Sequence, residues 1–253
     1  MGSRHRVMLL PGGVLPAEPA YAVLVQALGE RADAVAKDLE VYSGDRPPPD
    51  YGLDTEVAGI LREADARGFD RFHLVGYSGG GASSIAFTAR HGQERLLSLA
   101  LLEPAWAGNE RTPEEDALIQ QLRALENLPP DQFMAGFVRL QLAPGVEPPP
   151  RPDGPPPPWM AKRPAGLRAF IKAFDAADLD TDALRAFERP VLFVLGGRSS
   201  PDYYARIADR LAAIFPDFTV ETFPERHHFD PPHRIEPERL ADSLLGLWQR
   251  AER

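Results

Sequence analysis

The chain has 253 residues and no cysteine. That absence alone excludes disulfides, thiolate nucleophiles and cysteine-held metal sites. Long apolar runs are missing as well. The first such run, Val7-Met8-Leu9-Leu10, stops at Pro11. It is too short for a membrane span or a signal-peptide core, so it reads as a strand. Positive charge is in the minority: 28 Lys and Arg face 37 Asp and Glu, for a net charge of −9. Nucleic acid and anionic membrane surfaces attract basic proteins, so neither is an expected partner. A small molecule is the expected partner, no cofactor is implied, and the cytoplasm is the expected location.

What is present is an ordinary globular balance, 43% apolar and 26% charged, in a chain long enough for one large domain with an insertion. Up to Ala105, strand-like and helix-like segments alternate. Strands are expected at Arg6–Leu10, within Asp33–Tyr42, at Arg71–Gly76 and at Leu97–Leu102. Helices are expected at Ala20–Arg31, Leu53–Arg67 and Gly80–Arg90. In the second helix Val57, Ile60, Leu61 and Ala64 recur at helical spacing, and Gly68 supplies the stop. Such alternation implies crossover connections and a parallel sheet.

From Gly108 the pattern is helical only, at Glu114–Leu128, Asp131–Leu142 and Arg163–Asp175. Between the last two lies Pro144–Pro158, with nine prolines in fifteen positions. It can be neither helix nor central strand, and its position inside the insertion favours an ordered flap over a linker. The earlier pattern returns with strands at Val191–Leu195 and Phe218–Phe223 and helices at Pro201–Phe215 and Pro237–Arg253. The expected fold is α/β, a mostly parallel sheet flanked by helices. Its core domain comprises residues 1–107 and 189–253, interrupted by a helical cap at 108–188.

Gly76-Tyr77-Ser78-Gly79-Gly80 fits G-x-S-x-G, after an apolar strand and before a helix of small residues. A nucleophile at a tight strand-to-helix turn presents its hydroxyl at the sheet edge, and the helix N-terminus offers unpaired N–H groups to an oxyanion. A phosphate-binding P-loop is excluded, because no Gly-Lys-Ser/Thr follows. The turn after the first strand, Pro11-Gly12-Gly13-Val14-Leu15-Pro16, is not a dinucleotide fingerprint.

With this elbow, the early Gly12-Gly13 turn and a late His228-Phe229 pair, the chain resembles the α/β-hydrolase family over nearly its whole length. The resemblance implies a serine, acid, histidine order and an inserted cap. It implies His228 as the proton-transferring base, in the loop after the last strand, with His227 as the alternative. The family usually carries its acid shortly after the fifth strand. Here that stretch is Gly196-Gly197-Arg198-Ser199-Ser200-Pro201-Asp202, with serine in the acid's seat. Glu103, at the end of the fourth strand, is the expected replacement. Pro104 biases it away from helix and is expected to hold it extended. Asp202 is the alternative. The oxyanion donors implied are the N–H groups of Gly79 and Gly13, with Val14 as alternative to the latter.

Trp106, Phe133, Phe137, Trp159, Met160, Phe170 and Phe174 are candidates for an apolar substrate pocket. A metal site at His227, His228, Asp230 and His233 is disfavoured, since neighbouring histidines on an extended chain point to opposite faces. His73 reads as structural, His91 as a helix-end residue, and His5 as part of a mobile terminus. The expected activity is hydrolysis of an ester-type bond through an acyl-enzyme. Lactones, thioesters, amides and carbon–carbon bonds are alternatives on the same machinery, and a non-catalytic ligand binder is a further one.

Overall fold

Successive residues of a strand face opposite sides of a sheet, and in this chain both sides are apolar. The computed structural model describes residues 4–150 and 154–253. At its centre stand strands β1 (His5–Leu10), β2 (Ala32–Ala36), β3 (Phe72–Tyr77), β4 (Leu96–Leu102), β5 (Val191–Gly196) and β6 (Phe218–Phe223). They pair in the order β2-β1-β3-β4-β5-β6, every pair parallel. The helices are α1 (Ala17–Leu28), α2 (Leu53–Ala66), α3 (Gly79–Arg95), α4 (Pro113–Ala124), α5 (Pro130–Arg139), α6 (Arg163–Ala176), α7 (Thr181–Arg185), α8 (Arg206–Ala212), α9 (Pro232–Ile235) and α10 (Pro237–Ala251).

Met8, Leu10, Phe72, Leu74, Leu99, Leu101, Val191 and Phe193 face one core, shared with α2, α3 and α8. Val7, Leu9, Val75, Ala100, Leu102, Leu192 and Val194 face the other, against α1 and α10. The inner strands β1, β3, β4 and β5 read as near-continuous apolar runs because both faces are covered. Strand order reverses between β1 and β3. This is a topological switch point, where sheets of this kind open a crevice at their carboxyl edge. The chain leaves β1 at Pro11 and β3 at Ser78, so both loops meet in that crevice.

The second strand is shorter than the sequence implied. The apolar Leu39 and Val41 are buried, but in a turn beyond the strand. The cause is Glu56, itself buried, whose carboxylate accepts from Glu40 N at 2.9 Å and Val41 N at 3.0 Å and from the Tyr51 hydroxyl at 2.9 Å. Those amides are thereby turned away from the sheet ladder. The expected helix at Pro201–Phe215 begins instead as a π-helical turn, Pro201–Ala205, before α8.

Helices α4, α5 and α6 pack across the carboxyl ends of the strands. The Leu142–Ser199 bridge ties the end of this helical layer to the loop after β5, with Ala143 N donating to Arg198 O and Ser200 N to Gln141 O, both at 3.0 Å. Described parts of the proline-rich segment, Pro148, Pro149 and Gly154 to Pro157, line one cavity together with Asp131, Met134 and Val138 of α5. Residues 151–153 of that segment lie outside the described residues. His5 is not on a loose terminus. It opens β1, and its Nδ1 lies 2.9 Å from Glu252 Oε1, an atom also 3.1 Å from His73 Nε2. Among the described residues no helix is long and apolar enough to cross a membrane.

Candidate active site

Ser78 joins β3 to α3 with φ of 53° and ψ of −116°. A non-glycine residue in such a conformation costs on the order of 1–3 kcal/mol and persists only where its surroundings over-determine it. Here they do. Ser78 N donates to Leu102 O at 3.1 Å, and Ala105 N donates to Ser78 O at 2.9 Å. A Cβ on Gly76 would lie 2.5 Å from Gly80 O, and one on Gly80 would lie 2.5 Å from both Leu10 O and Pro11 O. Glycine at these two positions lets strand, helix and the β1 loop pass at backbone contact. Gly80 N donates to Pro11 O at 3.0 Å and locks the β1 loop to the elbow.

His228 follows β6 and is buried. Its Nε2 lies 3.0 Å from Ser78 Oγ and its Nδ1 lies 3.0 Å from Glu103 Oε2. A carboxylate at Nδ1 requires a proton there, which leaves Nε2 as acceptor for the serine hydroxyl. The imidazole stacks on Tyr204, with ring centres 4.6 Å apart, and lies 5.0 Å from the Tyr77 ring. The Tyr77 hydroxyl donates to His228 O, and that of Tyr204 to Gln141 Oε1 at 2.6 Å. Burial pushes both phenols far up, so they remain neutral donors.

Glu103 ends β4. The sequence led to an extended backbone, but its φ is +46°. Pro104 does bar the helical region, as expected, yet the chain turns the other way because both ends of Glu103 are fixed. Its N–H donates to Val194 O at 3.2 Å, and its Oε1 accepts from Gly196 N at 2.7 Å. Gly196 is needed for that reach, since a Cβ there would lie 3.0 Å from Glu103 Oε1 and 2.8 Å from Ser199 Oγ. Asp202 is exposed and stands in the π-helical turn, while the imidazole Nδ1 is paired with Glu103. His227 turns back on its own loop, its Nδ1 accepting from Phe229 N at 3.2 Å. Burial lowers its pKa.

Beside Ser78 lies a cavity of about 50 Å³. Gly13 and Gly79 both line it. Gly79 opens α3, where N–H groups have no intrahelical partner. The Tyr42 hydroxyl donates to Gly13 O at 2.6 Å and fixes the peptide that follows. Trp106, Phe137, Phe170 and Phe174 line the cavity as the sequence indicated. Phe133, Trp159 and Met160 do not. Phe133 is fully buried, stacked on Phe137 and covered by the Arg168 guanidinium. Trp159 sits by Arg163, and Met160 faces the proline-rich segment. The sequence reading missed Leu118, Ile119, Leu122, Leu167 and Ile171, which form much of the wall. They lie on helices expected from the sequence, but periodicity does not tell which side of a helix meets the sheet. It also missed Arg111 and Asp175, for which no signal existed.

The remaining histidines are structural. His233 is buried between the rings of Tyr21 and Tyr77, and burial pushes its pKa down to about 3. His73 is likewise held down to about 4 by burial, partly offset by Glu252. His91 packs near Phe87 inside α3 rather than ending the helix.

Comparison with known proteins places the fold in a family. Residues 7–243 match the model of the alpha/beta hydrolase family. N-formylmaleamate deformylase of Pseudomonas putida is 28% identical over 241 residues, covering 91% of this chain and 84% of that protein. Among solved structures, a thermophilic esterase from Thermogutta terrifontis superposes with a TM-score of 0.71 at 17% identity, covering 99% of this chain and 91% of the other. The meta-cleavage product hydrolase of Pseudomonas fluorescens gives 0.65 at 17% identity, with 99% and 92% covered. By the span of the family match and the fold that carries it, the chain belongs to the alpha/beta hydrolase family and is a hydrolytic enzyme.

Proposed function

We propose that this hydrolase cleaves an ester-type bond of a small, largely apolar substrate through an acyl-enzyme. Ser78 is the nucleophile, and His228 takes its proton and returns it to the leaving group. Glu103 holds the imidazole in the productive tautomer and stabilises the imidazolium. The N–H groups of Gly79 and Gly13 receive the developing oxyanion. Helices α4 to α6 act as the cap that shapes the pocket and excludes water. The observation that carries this reading is the unbroken chain of contacts from Ser78 Oγ through His228 to Glu103, each link 3.0 Å. Its far end is anchored on Gly196 N.

The smallness of the cavity and its apolar wall support a short acyl or alcohol group. A second reading, amide hydrolysis on the same machinery, is favoured by the relative named for removal of a formyl group. The test is turnover of matched ester, thioester, lactone and amide panels by the protein and by Ser78→Ala. Ester turnover that vanishes in the variant supports the proposal. Amide turnover without ester turnover would favour the second reading. Ester turnover that survives in Ser78→Ala would refute both.

A further inference from the structure

Most of the lining of the cavity is apolar, and its polar side chains are nearly all committed. Ser78 faces His228. Gln141 donates to Phe137 O at 2.8 Å and accepts from Tyr204. The Tyr203 hydroxyl donates to Ala105 O at 2.6 Å. Asp175 is gripped by Arg123, whose Nη2 lies 2.8 Å from Oδ1 and whose Nε lies 3.2 Å from Oδ2. The exception is Arg111, whose side chain is only 11% exposed.

Arg111 makes its contacts through Nη2 alone, to Asn109 Oδ1 and, at a long 3.5 Å, to Asp175 Oδ1. Among the described residues its Nε and Nη1 have no partner. Asn109 is itself fixed, donating to Phe174 O at 3.0 Å and Ala177 O at 2.8 Å while accepting from Trp106 Nε1 at 3.1 Å. The guanidinium is therefore held in place with one edge unused. Arg111 shares the carboxylate of Asp175 with Arg123, and Glu115 is taken by Arg210 and by Thr112 N. The unpaired Nε and Nη1 are not sealed from solvent, so an anion entering the cavity that Arg111 lines can reach them. A planar guanidinium with a free edge matches a carboxylate.

We propose that Arg111 is a specificity residue that binds a carboxylate of the substrate. Substrates of this class are small ester-type compounds with an apolar middle, a scissile carbonyl at Ser78 and a carboxylate at the far end. The inference rests on the reading of Ser78 as nucleophile. Its test compares para-nitrophenyl hemiglutarate with the neutral para-nitrophenyl valerate. The ratio of their kcat/KM values should favour the hemiglutarate in the wild type. In Arg111→Gln that ratio should collapse by roughly 10-fold or more, the loss of a charge-assisted pair. Arg111→Lys, which keeps the charge, should retain part of it. A proportionate fall on both esters, leaving the ratio intact, would reduce Arg111 to packing and overturn the proposal.

A binding arm separates this from the catalytic reading. Calorimetry with succinate and glutarate on Ser78→Ala needs no turnover. Binding that is lost when Arg111→Gln is added supports the subsite. Absence of binding to Ser78→Ala with Arg111 intact overturns it. Failure of both esters in the wild type, with dicarboxylate binding preserved, would sink the ester reading and leave the subsite standing.

Discussion

Replacing Glu103 by glutamine removes one charge and almost no volume. The side-chain amide would then have to satisfy two donors, Gly196 N–H at 2.7 Å and His228 Nδ1–H at 3.0 Å, with one oxygen and one NH₂. If the oxygen stays on Gly196, the NH₂ faces Nδ1. The imidazole must then carry its proton on Nε2, where it cannot accept from Ser78. If the oxygen turns to the imidazole, two N–H groups confront each other in a site only 5% exposed. Either outcome loses the productive tautomer or its stabilisation. A loss of roughly 10²-fold or more in kcat follows, about 2.7 kcal/mol of transition-state stabilisation. The assay is steady-state ester hydrolysis on Glu103→Gln and Asp202→Asn, with circular dichroism and melting curves to show that both variants fold. Asp202→Asn should lose little. A folded Glu103→Gln within about threefold of wild type, or a greater loss in Asp202→Asn, would refute the assignment of the acid.

Further outcomes follow from the same geometry. Gly80→Ala would push a Cβ to 2.5 Å from two backbone oxygens of the β1 loop. It should cost on the order of 1–3 kcal/mol or more and depress activity together with melting temperature, which scanning calorimetry and turnover report. His227→Gln should keep activity within about threefold, whereas His228→Gln should lose nearly all of it. Kinetics on the pair would expose a swapped assignment. His233 has an ordinary pKa near 6.5 when exposed and about 3 in the fold, lowered by burial, so protonation favours the unfolded chain. Its contribution to stability is complete above about pH 6.5 and is lost as pH falls towards 3, by up to about 1.4 kcal/mol per pH unit. His233→Phe, which also removes the partnerless buried Nδ1, should therefore flatten the acid limb in denaturant titrations across that window. An unchanged slope would assign the acid sensitivity elsewhere.

The sheet and the candidate catalytic residues were legible because their signals are local. Strand β3, Ser78 and the glycines around it form one short word, and His228 stands in the loop after the last strand. Glu103 is what the family resemblance implies once serines fill the usual seat after β5, with Asp202 left open as the alternative. Why they do so was not legible. Ser199 and its neighbours pair with 141–143 of the helical layer, a contact between segments far apart in sequence. The positive φ of Glu103 was equally hidden, since Pro104 says only where the chain cannot go. Phe133 and Trp159 had the right chemistry for a pocket, but periodicity does not tell which side of a helix meets the sheet. Arg111 looked like any surface arginine, and only the fold encloses it with Asn109 and Trp106.

The central claim is covalent chemistry at Ser78. Intact-mass spectrometry after mixing the protein with a slowly deacylating ester, followed by peptide mapping, tests it directly. The account predicts one acyl adduct on the peptide containing Ser78, formed in a burst and absent in Ser78→Ala. Steady product release with no adduct at Ser78, or an adduct that persists in Ser78→Ala, would contradict it.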